Sequence, residues 1–173
     1  MTRFKKQLPA GVEDLLPQEC YLKRNIEAKL RNVFTLSGYD EVSTPSYEYY
    51  DVFASGAGSY LQEKMIKFFD LKGAILALRP DLTIPIARMA TSKLMDNSEV
   101  QRLFYLENSF RIEEPTVGRS SEFLQAGIEL LGEKSAGGDA EAISIAIECL
   151  LSSGLSAFKI DIGQVSFFKA LIK

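Results

Sequence analysis

The chain contains no histidine and no tryptophan, and only two of its 173 residues are cysteines. Because it has no histidine, the given sequence cannot form a histidine-ligated metal site, a Ser-His-Asp triad or a histidine general base. Cys20 and Cys149 lie far apart, each within an apolar helical pattern, so we expect two buried thiols that act as small hydrophobic side chains. We therefore expect neither a metal nor any other cofactor.

An excess of basic charge and a long apolar run are also missing. The formal net charge is −3, which provides no general positive field for nucleic acid, although it leaves a local patch open. No segment approaches the roughly 18 consecutive apolar residues of a membrane span, and residues 1–17 lack the apolar centre of a signal peptide. We expect a cytoplasmic protein that binds neither membranes nor nucleic acid.

What the chain does contain is the composition of one soluble globular domain, with 46% hydrophobic and 25% charged residues. Apolar spacing predicts a helix over residues 17–37, stopped at Gly38, and a second long helix over 139–153. Antiparallel hairpins beside separate helices favour an α+β fold. The predicted strands are 41–43, the hairpin pair 67–70 and 75–78, 100–112 and 158–163, with a short helix over 83–94.

Charge is concentrated in the segment FRIEEPTVGRSSEFLQAGIELLG, residues 110–132. In a hairpin the side chains alternate between two faces, so odd and even positions can be considered separately. After the turn the even positions from Leu124 are apolar, whereas the odd positions are Gln125, Gly127 and Glu129. Before the turn, Arg111 and Glu113 share one face. The alternation predicts one wall of a polar site, with Gly127 leaving room between its polar neighbours.

Three motifs resemble the histidyl branch of the class II aminoacyl-tRNA synthetase catalytic domain. They are LRNVFTLSGYDEVSTP, a helix leading to a strand closed by proline; LRPDLT, residues 78–83; and the FRxE…GRxxEFxQxxxE hairpin. They occur in the family's order and the resemblance covers nearly the whole chain. It implies a mostly antiparallel sheet flanked by helices, within a single domain over residues 1–173. It also implies a homodimer whose interface is formed by the first motif.

Within this branch two families compete, histidyl-tRNA synthetase and the synthetase-like regulatory subunit of ATP phosphoribosyltransferase. The continuation IPIAR after LRPDLT, the segment EFLQAGIELLG and the final FKIDIGQVSFFKALI resemble the regulatory subunit. That family implies a non-catalytic protein of histidine biosynthesis that senses L-histidine and activates a short-form catalytic subunit. A histidyl-tRNA synthetase fragment and an oligomerisation scaffold with a degenerate pocket stay open as alternatives.

The resemblance implies a histidine-binding site made of Asp81, Thr83, Arg111, Gln125 and Glu129. Asp81 would receive the ligand's α-amino group with help from the Thr83 hydroxyl, although both residues also suit the start of a helix. Gln125 and Glu129 would fix the amino group and the imidazole, because a carboxylate accepts the ring N–H and favours the protonated ring. A polar, solvated strand face would produce the same alternation.

Arg111 resembles the motif arginine that meets a carboxylate or phosphate with its planar fork. Two further residues match the nucleotide side of the synthetase site. Arg119 resembles a phosphate-side arginine, although an exposed loop arginine without a partner would fit the same position. Glu113 matches the acid that contacts adenine. Because the branch completes its pocket with later segments that do not occur here, we expect a domain whose last strands are missing.

Overall fold

The computed structural model describes residues 6–94, 100–113 and 120–163, which form two small sheets and five α-helices. The helices are α1 (Pro17–Leu36), α2 (Tyr50–Gly56), α3 (Ser59–Glu63), α4 (Thr83–Met89), extended by one π-helical turn (Ala90–Leu94), and α5 (Ala136–Ser153). The strands are β1 (Asp40–Glu41), β2 (Tyr47–Tyr49), β3 (Lys67–Phe69), β4 (Ile75–Leu78), β5 (Gln101–Phe110) and β6 (Glu122–Leu131).

The first helix starts and stops where its sequence signals indicate. Pro17 occupies the first turn, where its missing N–H costs nothing, and the Glu19 carboxylate accepts a hydrogen bond from the Leu16 N–H at 2.7 Å. After the helix, Gly38 takes a φ of 82°, a conformation that glycine adopts without steric cost. The helix prediction is confirmed to within one residue at its end.

The larger sheet has the strand order β1-β5-β6, with β1 parallel to β5 and β6 antiparallel to it. In the β5–β6 hairpin Tyr105 lies opposite Gly127 and Leu103 lies opposite Glu129. The smaller sheet has the order β2-β4-β3 and is wholly antiparallel, which confirms the predicted hairpin over 67–78. These sheets with separate helices confirm the α+β prediction.

Helices cover both faces of the larger sheet. On one face α1 and α5 enclose a core centred on Phe34, Phe104 and Ile145. On the other face α4 packs Leu82 and Ile86 against Leu103 and Tyr105. The odd positions of β6 therefore share their face with α4, whose start carries the LRPDLT motif.

The predictions for residues 158–163 and for Cys20 are wrong. Residues 158–163 do not form a strand, because no strand in the described part of the chain lies beside them to supply hydrogen-bond partners. Cys20 is exposed on α1, with its thiol donating to the Leu15 carbonyl at 3.4 Å, whereas Cys149 is half-buried against the α1–α5 core. Among the described residues no helix has the length and hydropathy to cross a membrane.

Candidate ligand-binding site

The start of α4 and the odd face of β6 meet at one hydrogen bond. The Thr83 hydroxyl donates to Oε1 of Glu129 at 2.8 Å, which joins residues 46 positions apart in the sequence. Thr83 can reach across because α4 packs on this face of the sheet through the buried residues Leu82 and Ile86. The two predicted site segments are therefore adjacent in space.

Asp81 lies half-buried beside this contact, immediately before α4. One of its carboxylate oxygens accepts a hydrogen bond from the Ile84 N–H at 3.4 Å, a long bond of the kind that caps the start of a helix. The interpretation of Asp81 as a helix cap therefore holds in part. Thr83 does not cap the helix, because its hydroxyl points to Glu129 instead.

Gln125 is held by two neighbours on β5. Its amide oxygen accepts a hydrogen bond from the Ser109 hydroxyl at 2.9 Å, and its amide nitrogen donates to the Tyr105 hydroxyl at 3.2 Å. These two contacts orient the amide, so that Gln125 presents a fixed pattern of polar atoms on the odd face.

The room over Gly127 is taken by Tyr105. A Cβ atom on Gly127 would lie 2.4 Å from the Tyr105 hydroxyl oxygen, so only glycine lets this ring lie across β6. The prediction that Gly127 leaves a gap for the ligand is corrected: the gap accommodates the tyrosine. Tyr105 was missed from the sequence, because its position opposite Gly127 follows from the strand register and not from either residue alone.

Arg111 directly follows β5 and lies next to Pro80, the residue before Asp81. Its Nε donates to the Pro80 carbonyl at 2.7 Å, and its guanidinium carbon lies 5.2 Å from the centre of the Phe123 ring. Neither contact neutralises the guanidinium, whose planar fork suits the binding of an anion.

The two residues predicted for a nucleotide side have different outcomes. Glu113 forms an ion pair with Lys64, whose Nζ lies 3.6 Å from its carboxylate, and the Ile112 N–H donates to the Lys64 carbonyl at 2.8 Å. Its carboxylate is thereby tied to the segment that follows α3. Arg119 lies outside the described residues.

A further residue that the sequence analysis missed supports the whole site. Arg79, only 2% exposed, donates to the carbonyls of Thr44 and Asn108 and forms an ion pair with Glu107 at 2.7 Å. The backbone carbonyl of Arg79 also accepts a hydrogen bond from the Phe110 N–H. Arg79 and Pro80 therefore fix the segment that carries Asp81 along the edge of β5.

Two acids share the site, and burial changes the chemistry of one of them. Burial raises the pKa of the Glu129 carboxyl above its ordinary value of 4.5, the Thr83 hydrogen bond opposes this, and the nearby Asp81 charge adds to it. Burial together with the Glu129 charge also raises the pKa of Tyr105 to about 12, so this tyrosine keeps its proton at neutral pH. Among the described residues predicted for this site, two carboxyl groups stand with one cation, Arg111, and this combination suits a ligand that carries both charges.

The raised pKa of Glu129 predicts a specific dependence of stability on pH. The folded chain keeps the Glu129 proton to a higher pH than the unfolded chain, so the free energy of unfolding should fall as pH rises from 4.5 through the folded pKa. A Glu129→Gln variant lacks this titration but keeps an oxygen for Thr83. We expect the stability of the variant relative to wild type to increase over that pH range and then level off. Urea unfolding of both proteins between about pH 4 and 8 measures this difference, and a constant difference would contradict the assignment.

Two clefts of about 560 and 390 Å³ lie on the opposite side of the sheet, against α1. Their linings include Lys23, Glu122 and Leu124, but none of the five residues predicted to bind histidine. The predicted histidine-binding residues thus lie outside both clefts, although Phe123, whose ring lies beside Arg111, lines the larger cleft.

Comparison with protein families gives a match over nearly the entire chain. The family model described as histidyl-tRNA synthetase matches residues 11–173. A protein of Ruminiclostridium cellulolyticum named ATP phosphoribosyltransferase regulatory subunit is 50% identical over 171 residues, which are 99% of this chain and 41% of that protein. A protein of the same name from Acetivibrio thermocellus is 49% identical over 173 residues, 100% of this chain and 41% of its own length.

Solved structures of similarly named proteins superpose on this chain. An ATP phosphoribosyltransferase regulatory subunit/histidyl-tRNA synthetase from Bacillus halodurans C superposes with a TM-score of 0.89 at 38% identity, over 98% of this chain and 43% of that one. Apo histidyl-tRNA synthetase of S. aureus gives a TM-score of 0.73 at 28% identity, over 87% of this chain and 35% of that one.

The fold and the site thus define a domain of the class II aminoacyl-tRNA synthetase type. Within that class, the chain belongs to the histidyl-tRNA synthetase family. The predicted resemblance to the regulatory subunits of ATP phosphoribosyltransferase is confirmed by the names and identities of its relatives. The chain spans about two fifths of the length of the curated relatives that it matches.

Proposed function

We propose that this chain is the synthetase-like part of a non-catalytic regulatory subunit of ATP phosphoribosyltransferase. In this role it binds L-histidine and transmits its presence to a separate short-form catalytic subunit, in the first step of histidine biosynthesis. The proposal is supported by relatives that bear this name at 43 to 50% identity over nearly the whole chain.

The observation that carries the proposal is the Thr83–Glu129 hydrogen bond, which joins the α4 start to the β6 wall. Around this junction the side chains complement each part of an amino acid that has a basic ring. The ligand's ammonium group lies towards Asp81 and Gln125, and its carboxylate lies towards Arg111. Its imidazole lies near Glu129. Burial deprives the Glu129 carboxylate of water, and a protonated ring would stabilise the carboxylate charge instead.

The direct test of the proposal combines binding with regulation, in the full-length protein. Calorimetric titration should give a saturable heat with L-histidine, and the protein should raise the activity of a short-form catalytic subunit in a way that histidine reverses. Binding without any effect on the catalytic subunit would contradict the regulatory role. Absence of both would favour a scaffold with a degenerate pocket. A gene that lies beside histidine-biosynthesis genes would support the regulatory subunit against the tRNA ligase.

The second candidate is a fragment of histidyl-tRNA synthetase, which the description of the family model and the S. aureus structure favour. It differs chemically, because a synthetase must activate histidine with ATP. We expect no histidine-dependent exchange of pyrophosphate into ATP, because the chain carries no Gly-rich phosphate loop and Glu113 is engaged by Lys64. Exchange above a control without histidine would overturn the regulatory assignment in favour of the ligase.

We also propose that α1 and the strand that follows it form a two-fold contact between copies of the chain. Leu36 is 79% exposed at the end of α1, as an interface residue would be in an isolated chain, whereas Val42 already packs against the α4 side of the sheet. Leu36→Glu should shift a dimer towards monomers in sedimentation at micromolar concentration, whereas Leu71→Glu, at an exposed site on the β3–β4 turn, should not. A wild-type protein that sediments only as a monomer would rule the dimer out.

A further inference from the structure

The segment before α1 makes a close contact with the start of β6. The carbonyl oxygen of Gly11 accepts two hydrogen bonds, from the Ser121 N–H at 2.6 Å and from the Ser120 hydroxyl at 2.7 Å. We call residues 8–15 the N-terminal strap. It connects the beginning of the chain to the hairpin more than 100 residues later.

A third hydrogen bond extends this contact to the site. The Ser121 carbonyl accepts from the Arg111 N–H at 2.9 Å, and Arg111 in turn donates from its side chain to the Pro80 carbonyl. Gly11, Ser121 and Arg111 thus form a continuous series of hydrogen bonds. This series of hydrogen bonds ends at Arg111, a cation of the proposed histidine wall.

Gly11 is required for this contact on two independent grounds. Its φ of 81° is a conformation that residues with side chains rarely adopt. A Cβ atom at this position would also lie 2.4 Å from the Ser121 hydroxyl oxygen and 3.2 Å from the Ser121 backbone nitrogen, which donates to Gly11. A side chain would therefore push the strap away from the residue to which it is bonded.

Two further strap residues face the same cleft as a neighbour of Arg111. Glu13 and Leu15 line the larger α1 cleft together with Phe123, the residue whose ring lies beside the Arg111 guanidinium. The backbone N–H of Arg111 is therefore bonded to Ser121, the residue that the strap contacts directly.

We propose that the N-terminal strap is a positioning element for Arg111, with Gly11 as its key residue. The strap fixes the end of β5. The Arg111 guanidinium thereby stays aimed at the carboxylate of a ligand bound on the odd face of the hairpin. The effect of the strap on ligand affinity rests on the proposed histidine site. Its effect on the hydrogen bonding of the Arg111 backbone does not.

The first test needs no ligand. In the full-length protein, Gly11→Ala should speed hydrogen exchange at the Ser121 and Arg111 amides by about tenfold or more, because local opening of the strap exposes them. Gly73→Ala is the matched control: Gly73 has a φ of 86° but no atom lies within 4 Å of its would-be Cβ, so it introduces similar backbone strain without touching the hairpin. Equal exchange at both amides in the two variants would overturn the proposal.

The second test compares two ligands. L-histidine carries a carboxylate for Arg111, whereas histamine has the same ring and ammonium group without it. Gly11→Ala should weaken histidine binding by about tenfold and change histamine binding by less than about twofold, measured by NMR titration. Equal losses for both ligands would mean that the strap supports the fold in general, and they would overturn the positioning role.

Two further outcomes keep the strap separate from the proposed function. Ser120→Ala removes one of the two donors to Gly11 without straining the backbone, and it should produce smaller changes in the same direction. It provides the test if Gly11→Ala folds poorly. If the amides respond as expected while wild type binds no histidine, the strap proposal stands and the histidine site fails.

Discussion

Replacing Arg79 by methionine is expected to lower the free energy of unfolding by about 3 to 5 kcal/mol, the range for removing one partner of a buried ion pair. The side chain is 2% exposed and donates to the Thr44 and Asn108 carbonyls as well as to Glu107. Methionine fills much of the same volume but leaves these acceptors without their donor. Chemical denaturation of the variant and of wild type measures the loss.

The matched control is Arg31→Met. Arg31 also pairs with a glutamate through two hydrogen bonds, to Glu41 at 2.7 and 2.9 Å, but both side chains are more than 40% exposed. An exposed pair of this kind contributes about 0 to 1 kcal/mol, because water screens the charges and solvates them when they separate. Losses of equal size for the two variants would show that burial of Arg79 is not the cause.

Replacing Glu129 by glutamine is expected to weaken histidine binding by about 1 to 3 kcal/mol, the range for a charge-assisted hydrogen bond. The carboxylate is half-buried beside Thr83 and Asp81, so its charge is stabilised by few other groups when the site is empty. A cationic ring would neutralise it, whereas the glutamine amide would not. Calorimetric titration with histidine measures the change, which corresponds to a dissociation constant about 5 to 150 times larger.

The control for this substitution lies on the same strand. Glu122→Gln makes the same chemical change on the even face of β6, where the carboxylate accepts from Asn108 and points towards the α1 clefts. It should leave histidine affinity unchanged. If both Glu129→Gln and Asp81→Asn bind histidine as tightly as wild type, the pocket assignment is wrong. The charge of the hairpin would then be explained as a contact surface for the catalytic subunit.

The two experiments address different layers of the same structure. Arg79 fixes the segment that leads into Asp81, while Glu129 belongs to the wall that faces it. A loss of histidine binding in Arg79→Met is therefore expected only together with a loss of stability, whereas Glu129→Gln should separate the two. That separation distinguishes a residue that binds the ligand from one that supports the fold.

Local sequence patterns predict several of the helices and strands and the polar character of the site. The first helix follows from apolar side chains spaced at 3.6 residues, and the polar face of β6 follows from alternation at two residues, since both periods are set by backbone geometry alone. The five predicted histidine-site residues were chosen by motif. Of these, Thr83 and Glu129 are in direct contact, although they lie far apart in sequence.

Which side chains meet depends on the packing of distant segments. The register of β5 against β6 placed Tyr105 over Gly127, and the packing of α4 brought Thr83 to Glu129. Burial of Arg79 and the contact of Gly11 with Ser121 likewise depend on segments that are distant along the chain. Local periodicity fixes the face on which a side chain lies, but its partner depends on how that face packs against another element. Such a contact is favourable only after the whole core has formed.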